Sequence, residues 1–165
     1  MDRRTSIITG LTAAATLAAT LSAPAEAKEK PHPDLEKVRA ILKAHDDAMT
    51  NHDLKGVMAT LAPKAVIMGS GPGEFWTGDD QIKDAYEHFF QGYDKGEQDF
   101  IYHERRGGLS DDMGWMVASG EVKAKKDGKA FAFPINISMT VFRSRGTWKI
   151  QAMHFSTLTG NGDSK

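Results

Sequence analysis

Ser144-Arg145-Gly146-Thr147-Trp148-Lys149-Ile150-Gln151-Ala152-Met153-His154-Phe155-Ser156-Thr157 is the stretch on which the fold turns. A Gly-bearing turn opens it, and the residues after the turn follow the two-residue period of a strand. Strict alternation puts Trp148, Ile150, Ala152, His154 and Ser156 on one face, and Lys149, Gln151, Met153, Phe155 and Thr157 on the other. The first set reads as a face covered by helices. The second begins polar and ends apolar, the pattern of an outer face partly covered by another subunit.

Working back from this strand, the same period predicts strands over Phe100 to Arg105, Trp115 to Lys123 and Phe131 to Arg143. Turns at Gly107-Gly108, Lys126-Asp127-Gly128 and Ser144-Arg145-Gly146 join them into an antiparallel meander. Upstream of Gly92 the apolar spacing becomes helical. Leu35, Val38, Ile41, Leu42, Ala48 and Met49 form one stripe, with Asp34 as a cap after Pro33. Asp53 caps a short second helix bearing Leu54, Val57, Met58 and Leu61, which Pro63 ends. Ala65 to Met68 reads as a short strand, and the loop from Gly69 to Gly73 delivers Phe75 and Trp76. A third helix carries Ile82, Ala85, Tyr86, Phe89 and Phe90 on one side. Three helices followed by a meander define the α+β class.

Composition narrows the chemistry. The chain of 165 residues holds 21 Lys+Arg against 22 Asp+Glu, a net charge of −1 that offers no surplus to condense on phosphates and argues against a nucleic-acid partner. It has no cysteine, which removes disulfides, thiolate metal sites, cysteine nucleophiles and lipoprotein anchoring together. Residues 1–27 read as a secretory signal: Arg3-Arg4, an uncharged Ala/Leu/Thr run, and Ala25-Glu26-Ala27 before Lys28. The run is diluted by Thr and Ser, and its strongest part is shorter than the ~20 residues that span a bilayer, so no stable membrane anchor is expected after cleavage. Cleavage after Ala27 predicts a periplasmic or secreted protein, with a twin-arginine route suggested by Arg3-Arg4. Residues 28–33 form a proline-broken leader, 34–158 the domain and 159–165 a flexible tail.

In their order and spacing, four pieces resemble the SnoaL-like branch of the nuclear transport factor 2-like superfamily. They are the run Ala44 to Leu61 with Asp53 at its second cap, the strand Ala65 to Met68, the step Trp76-Thr77-Gly78, and the closing Gly146 to Ser156. The resemblance implies a cystatin-like cone: a strongly curved antiparallel sheet wrapped around the helices, a pocket at the open end, and pairing of two copies through the sheet. It does not by itself imply an activity, because the superfamily holds isomerases, dehydratases, epoxide hydrolases, cyclases and non-catalytic modules. Ketosteroid isomerases place a general-base aspartate where this chain has Gly69, an acidic oxyanion partner near Met139 and a tyrosine at His45. Two of those three functions are lost here. The Asp-Arg-Asp arrangement of limonene epoxide hydrolase finds only His103-Glu104-Arg105-Arg106, in the wrong order.

Polar residues that the cone would turn inward then carry the functional reading. His45 interrupts the stripe of the first helix and His154 shares a strand face with Trp148 and Ile150; either imidazole could act as acid or base, or simply bond to a neighbour. Met68, Trp76, Tyr86, Phe90, His103, Trp115, Phe133 and Asn136 complete the candidate pocket, with the apolar members equally readable as core. The His residues show no His-x-His or His-x-x-x-His spacing, so no metal and no cofactor are expected. Gly69-Ser70-Gly71 lacks a nucleophile elbow, and Gly71-Pro72-Gly73 lacks the Lys-Ser/Thr of a phosphate loop. The combined expectation is an exported homodimer binding a small, mostly apolar or uncharged molecule. The alternatives are a His-dependent acid–base enzyme acting on a carbonyl or hydroxy compound, and a non-catalytic interaction module.

Overall fold

The computed structural model describes residues 31–157; the signal segment 1–27, most of the leader and the tail 159–165 lie outside the described residues. Helices α1 (Leu35–Thr50), α2 (Leu54–Thr60) and α3 (Asp79–Phe90) accompany strands β1 (Leu61–Met68), β2 (Phe75–Thr77), β3 (Gln98–Leu109), β4 (Met113–Lys126), β5 (Lys129–Ser144) and β6 (Thr147–Ser156). The strands form one open sheet in the order β2-β1-β6-β5-β4-β3. The class is α+β as the period change implies, but the sheet is mixed rather than antiparallel, because β1 runs parallel to β6.

Two hairpins obey their turn chemistry. Asp127-Gly128 and Arg145-Gly146 each place both central residues at positive φ, the two-residue turn whose twist matches antiparallel strands. Asp94 braces the first by accepting from the Asp127 and Gly128 amides at 3.0 Å each. Gly107-Gly108, by contrast, lies inside β3, which continues to Leu109, and the reversal falls at Ser110 to Asp112. Beyond the Gly69 to Gly73 loop, Phe75–Thr77 forms a short strand paired with β1.

Helices cover one face of the sheet. Val38, Met49, Val57, Ile82 and Tyr86 from the helices meet Ile67, Ile137, Met139, Val141, Trp148, Ile150 and Met153 from the strands in one continuous core. Asp53 caps α2 by accepting from the Gly56 amide at 2.9 Å. Asp34 occupies the cap position of α1 without capping it. Its buried carboxylate instead accepts from Lys37 Nζ (2.6 Å), Arg143 Nη1 (2.8 Å) and Trp148 Nε1 (3.1 Å), which ties the start of α1 to β5 and β6. The Lys37 and Trp148 hydrogen bonds hold this carboxyl below the usual aspartate range.

One irregularity decides what faces what. Val141 pairs with Ile150 and Thr140 with Ala152, so Gln151 is an extra residue in β6. A bulge of one residue inverts the alternation beyond it. Trp148 and Ile150 face the helices as the period predicts, but Met153 and Phe155 then take over that face: Met153 is 7% exposed in the core and Phe155 packs edge-on against Phe89 of α3 at 5.3 Å. Ala152, His154 and Ser156 turn to the outer face, opposite to what strict alternation gives. Gln151 Nε2 donates to the Lys64 carbonyl at 3.1 Å, within the facing irregularity of β1 where Lys64 has φ of 65°.

Candidate functional site

The residues of the candidate site divide between the two faces of the sheet. His45, Trp76, Tyr86, Phe90 and Phe133 lie on the helix-covered side. His45 and Tyr86 are 4% and 2% exposed, Trp76 and Phe90 are half-buried against the main core, and Phe133 packs on a small cluster of Tyr93, Val122 and Ala124. Met68, His103, Trp115, Asn136 and His154 stand on the other side. Trp115 is 53% exposed on the β4 face that alternates with buried Gly114 and Ala118 and half-buried Met116. His103 faces outward at a second bulge: Tyr102 pairs with Gly120 and Glu104 with Ser119, which leaves His103 unpaired, exposed, and 3.9 Å from Glu121, and turns Glu104 to the outer face as well. A side chain at Gly120 would run into the Ile101 carbonyl, so glycine is required beside this bulge. Asn136 follows Pro134 without a bulge in β5 and is exposed on the outer face. His45 and His154 therefore do not converge.

On the inner side a polar cluster is built around His45. Its position in the α1 stripe, seven residues after Val38 and four before Met49, drives the imidazole into the core, where Nε2 lies 2.8 Å from the Tyr86 hydroxyl. Nδ1 is buried without a hydrogen-bond partner, and the Asp46 carboxylate stands 3.7 Å from it. In the tautomer protonated on Nδ1, that proton faces the negative charge and the Tyr86 Oη–H donates to Nε2. Tyr102 Oη donates to Asp46 at 3.4 Å, and the Arg105 guanidinium lies over the Tyr102 ring at 5.8 Å. Burial first, then the Asp46 charge, pushes both the Tyr86 and Tyr102 phenols far above their ordinary value, so both stay protonated donors. The cluster runs from exposed Arg105 through half-buried Asp46 and Tyr102 to deeply buried His45 and Tyr86. Asp46, Tyr102 and Arg105 escaped the sequence reading because Asp46 sits beside Asp47 in what looks like a solvated helix face; its proximity to His45 in sequence was the available signal.

The described cavities lie on the opposite face. One, of about 390 Å³, is lined by Glu104, Arg106, Ser119 and Asn136 among others; a second, of about 250 Å³, is lined by Met68, Phe75 and Trp115 among others, and the two share Val117, Ser138 and His154. Among the described residues no group of three or more His, Cys, Asp or Glu is gathered closely enough to hold a metal ion, and no helix is long and apolar enough to cross a membrane.

Residues 38–160, which hold nearly all of these helices and strands, match the model of the SnoaL-like domain. The chain belongs to the SnoaL-like domain family. Solved structures similar to this SnoaL-like chain share its fold. A ketosteroid isomerase-like protein from Erwinia carotovora atroseptica is 21% identical with a TM-score of 0.63, over 78% of this chain and 99% of its own. A protein from Xanthomonas campestris, named for the calcium/calmodulin-dependent protein kinase II association domain, is 19% identical with a TM-score of 0.64, over 76% of this chain and 88% of its own. An NTF2-like protein from Pseudomonas putida is 14% identical with a TM-score of 0.64, over 79% and 90%. No curated protein matches the chain.

Proposed function

We propose that this SnoaL-like chain is a non-catalytic association module that pairs with a second copy through the outer face of its sheet. One observation carries the reading: the exposed large apolar residues are concentrated on that face. Met68, Phe75, Met113, Trp115, Val117 and Phe142 are each between 36% and 56% exposed and all project outward, leaving only Phe131 of that exposed set elsewhere. Met68 pairs with Phe75 and Met113 with Phe142, and Met68, Phe75, Trp115 and Val117 line one groove that links the two sides of the patch. Chains that stay monomeric seldom leave such a patch open to water. With Met153 and Phe155 filling the helix-covered side, His45 and His154 lie on opposite faces, which removes support for an enzyme using both. The name of the Xanthomonas campestris neighbour fits an association role. Size-exclusion chromatography with light scattering, run across a wide concentration range, tests the proposal; it fails if the protein stays a monomer at about 100 µM, where even a weak specific pair with micromolar Kd is formed.

A small, mostly apolar or uncharged ligand beside His45 is a second reading. The buried and unpartnered His45 Nδ1 favours it, since a ligand oxygen could satisfy that nitrogen. A thermal-shift screen against hydroxy and carbonyl compounds tests it; hits that persist in His45→Phe would exclude that contact. Export of the chain is part of the same proposal and is checked by sequencing the mature N-terminus, which should begin at Lys28.

A further inference from the structure

Beside the apolar patch, and sharing Val117 with it, the outer face holds a polar feature. Strand register places Glu104, Ser119, Asn136 and Ser156 in one row across β3, β4, β5 and β6. The next row is Arg106, Val117, Ser138 and His154. Neighbouring rows on one face lie ~7 Å apart, so these eight side chains surround a single cleft, the one of about 390 Å³. The third row carries Trp115 and Thr140, and Met113 and Phe142 follow in the fourth. The first row therefore stands ~20 Å along the strands from Phe142, while the second row meets the apolar patch at Val117 and at Met68, which pairs with His154.

We infer that this cleft binds a small uncharged polyhydroxylated molecule, a sugar or sugar alcohol. Three features select that chemistry. Ser119, Asn136, Ser138, His154 and Ser156 make no side-chain hydrogen bond to another described residue, while all five line the same cleft. Hydroxyls, an amide and an imidazole each offer both donor and acceptor capacity, and a ligand rich in hydroxyls meets both at once. Charge argues against an anion: Arg106 Nη1 sits 3.3 Å from Glu104 Oε2, so the guanidinium is already countered by a carboxylate in the same lining. Arg105 adds only backbone, because its guanidinium lies over Tyr102 on the opposite face. Val117, with the backbone of Ala118 and Ile137, gives the floor apolar area against which C–H faces of such a ligand can rest.

Amide NMR titration of the full protein with glucose and, separately, with gluconate tests this inference, since gluconate presents similar hydroxyls plus a negative charge. Glucose should shift the amides of Ser119, Asn136, Ser138 and Ser156 saturably with a millimolar Kd, and gluconate should bind no better. Asn136→Leu, a change at an exposed position, should weaken glucose binding ~10-fold, the loss of one hydrogen bond, with far-UV circular dichroism and oligomeric state unchanged. Absence of any shift at those amides at about 50 mM glucose overturns the inference, because that concentration saturates a millimolar site. So does gluconate binding 10-fold or more tighter, which would make this an anion site, or Asn136→Leu altering the oligomeric state, which would make the cleft a contact between copies. Failure of glucose to bind would leave the pairing proposal standing, since that is read by mass and not by titration.

Discussion

Truncating Met153 and His154 in turn gives opposite results depending on whether Gln151 bulges out of β6. In the bulged strand Met153 is 7% exposed in the core, and Met153→Ala deletes every side-chain heavy atom beyond Cβ from a packed site. Loss of roughly 100 Å² of buried apolar area at about 25 cal/mol per Å² gives ~2.5 kcal/mol, and the residual cavity carries the total to about 3. His154 stands on the outer face and only half-buried, so His154→Ala should cost less than ~0.5 kcal/mol. Urea unfolding, followed by tryptophan fluorescence at one protein concentration, separates the two. With a slope of ~1.5 kcal/mol per molar, the midpoint should fall by ~2 M for Met153→Ala and by less than ~0.3 M for His154→Ala. Strict alternation along β6 demands the reverse order, and a larger loss for His154→Ala would refute the bulge and with it the division of the candidate residues between two faces.

Tyr86→Phe should cost ~1–2 kcal/mol in the same assay despite preserving the ring, because it leaves His45 Nε2 buried without its 2.8 Å partner; a neutral effect would mean that water already serves that nitrogen. Asp53→Ala should cost ~1 kcal/mol through loss of the α2 cap, while Asp53→Asn should recover most of it. Stability should also depend on pH through His52, whose ring lies between Phe90 and Tyr93 at 4.9 and 4.8 Å with Nε2 buried and unpartnered. Desolvation, then Lys95 and Lys126 and against Asp94, holds its folded pKa below the ordinary 6.5. The unfolded chain then binds the proton first, so the stability contribution is full above pH 6.5 and is lost as pH falls below it. The urea midpoint should drop between pH 7.5 and pH 5.5, and His52→Asn, which tolerates the positive φ at this position, should flatten that slope.

The sequence made the element order legible because each signal was local. Helical stripes such as Val38, His45 and Met49, the Asp53 cap and the Asp127-Gly128 turn act within a few residues of themselves. Parallel pairing of β1 with β6 was not legible, since nothing in Ala65 to Met68 specifies a partner more than eighty residues away. Nor was the Gln151 bulge, where the side chain meets the Lys64 carbonyl of a strand eighty-seven residues away in sequence. That single residue moved His154 out of the candidate site and Met153 and Phe155 into the core. On the helix side, His45 and Tyr86 were recognisable as inward-facing from helical period alone. Their bond to one another was not, because it joins two residues on different helices, forty-one positions apart. Asp34 was read as a cap from its place after Pro33, yet its carboxylate is drawn instead to Arg143 and Trp148, groups that only the folded sheet brings near.

Sedimentation equilibrium of Trp115→Glu beside Lys43→Glu tests the pairing proposal most directly. Both changes put a carboxylate at an exposed position, one in the centre of the outer apolar face and the other on the solvent side of α1. The account predicts twice the chain mass for the unmodified protein and for Lys43→Glu, and a monomer with native circular dichroism for Trp115→Glu, because a buried unpaired charge costs several kcal/mol at an interface. A wild-type monomer, or a Trp115→Glu variant that still sediments as a dimer, would contradict it.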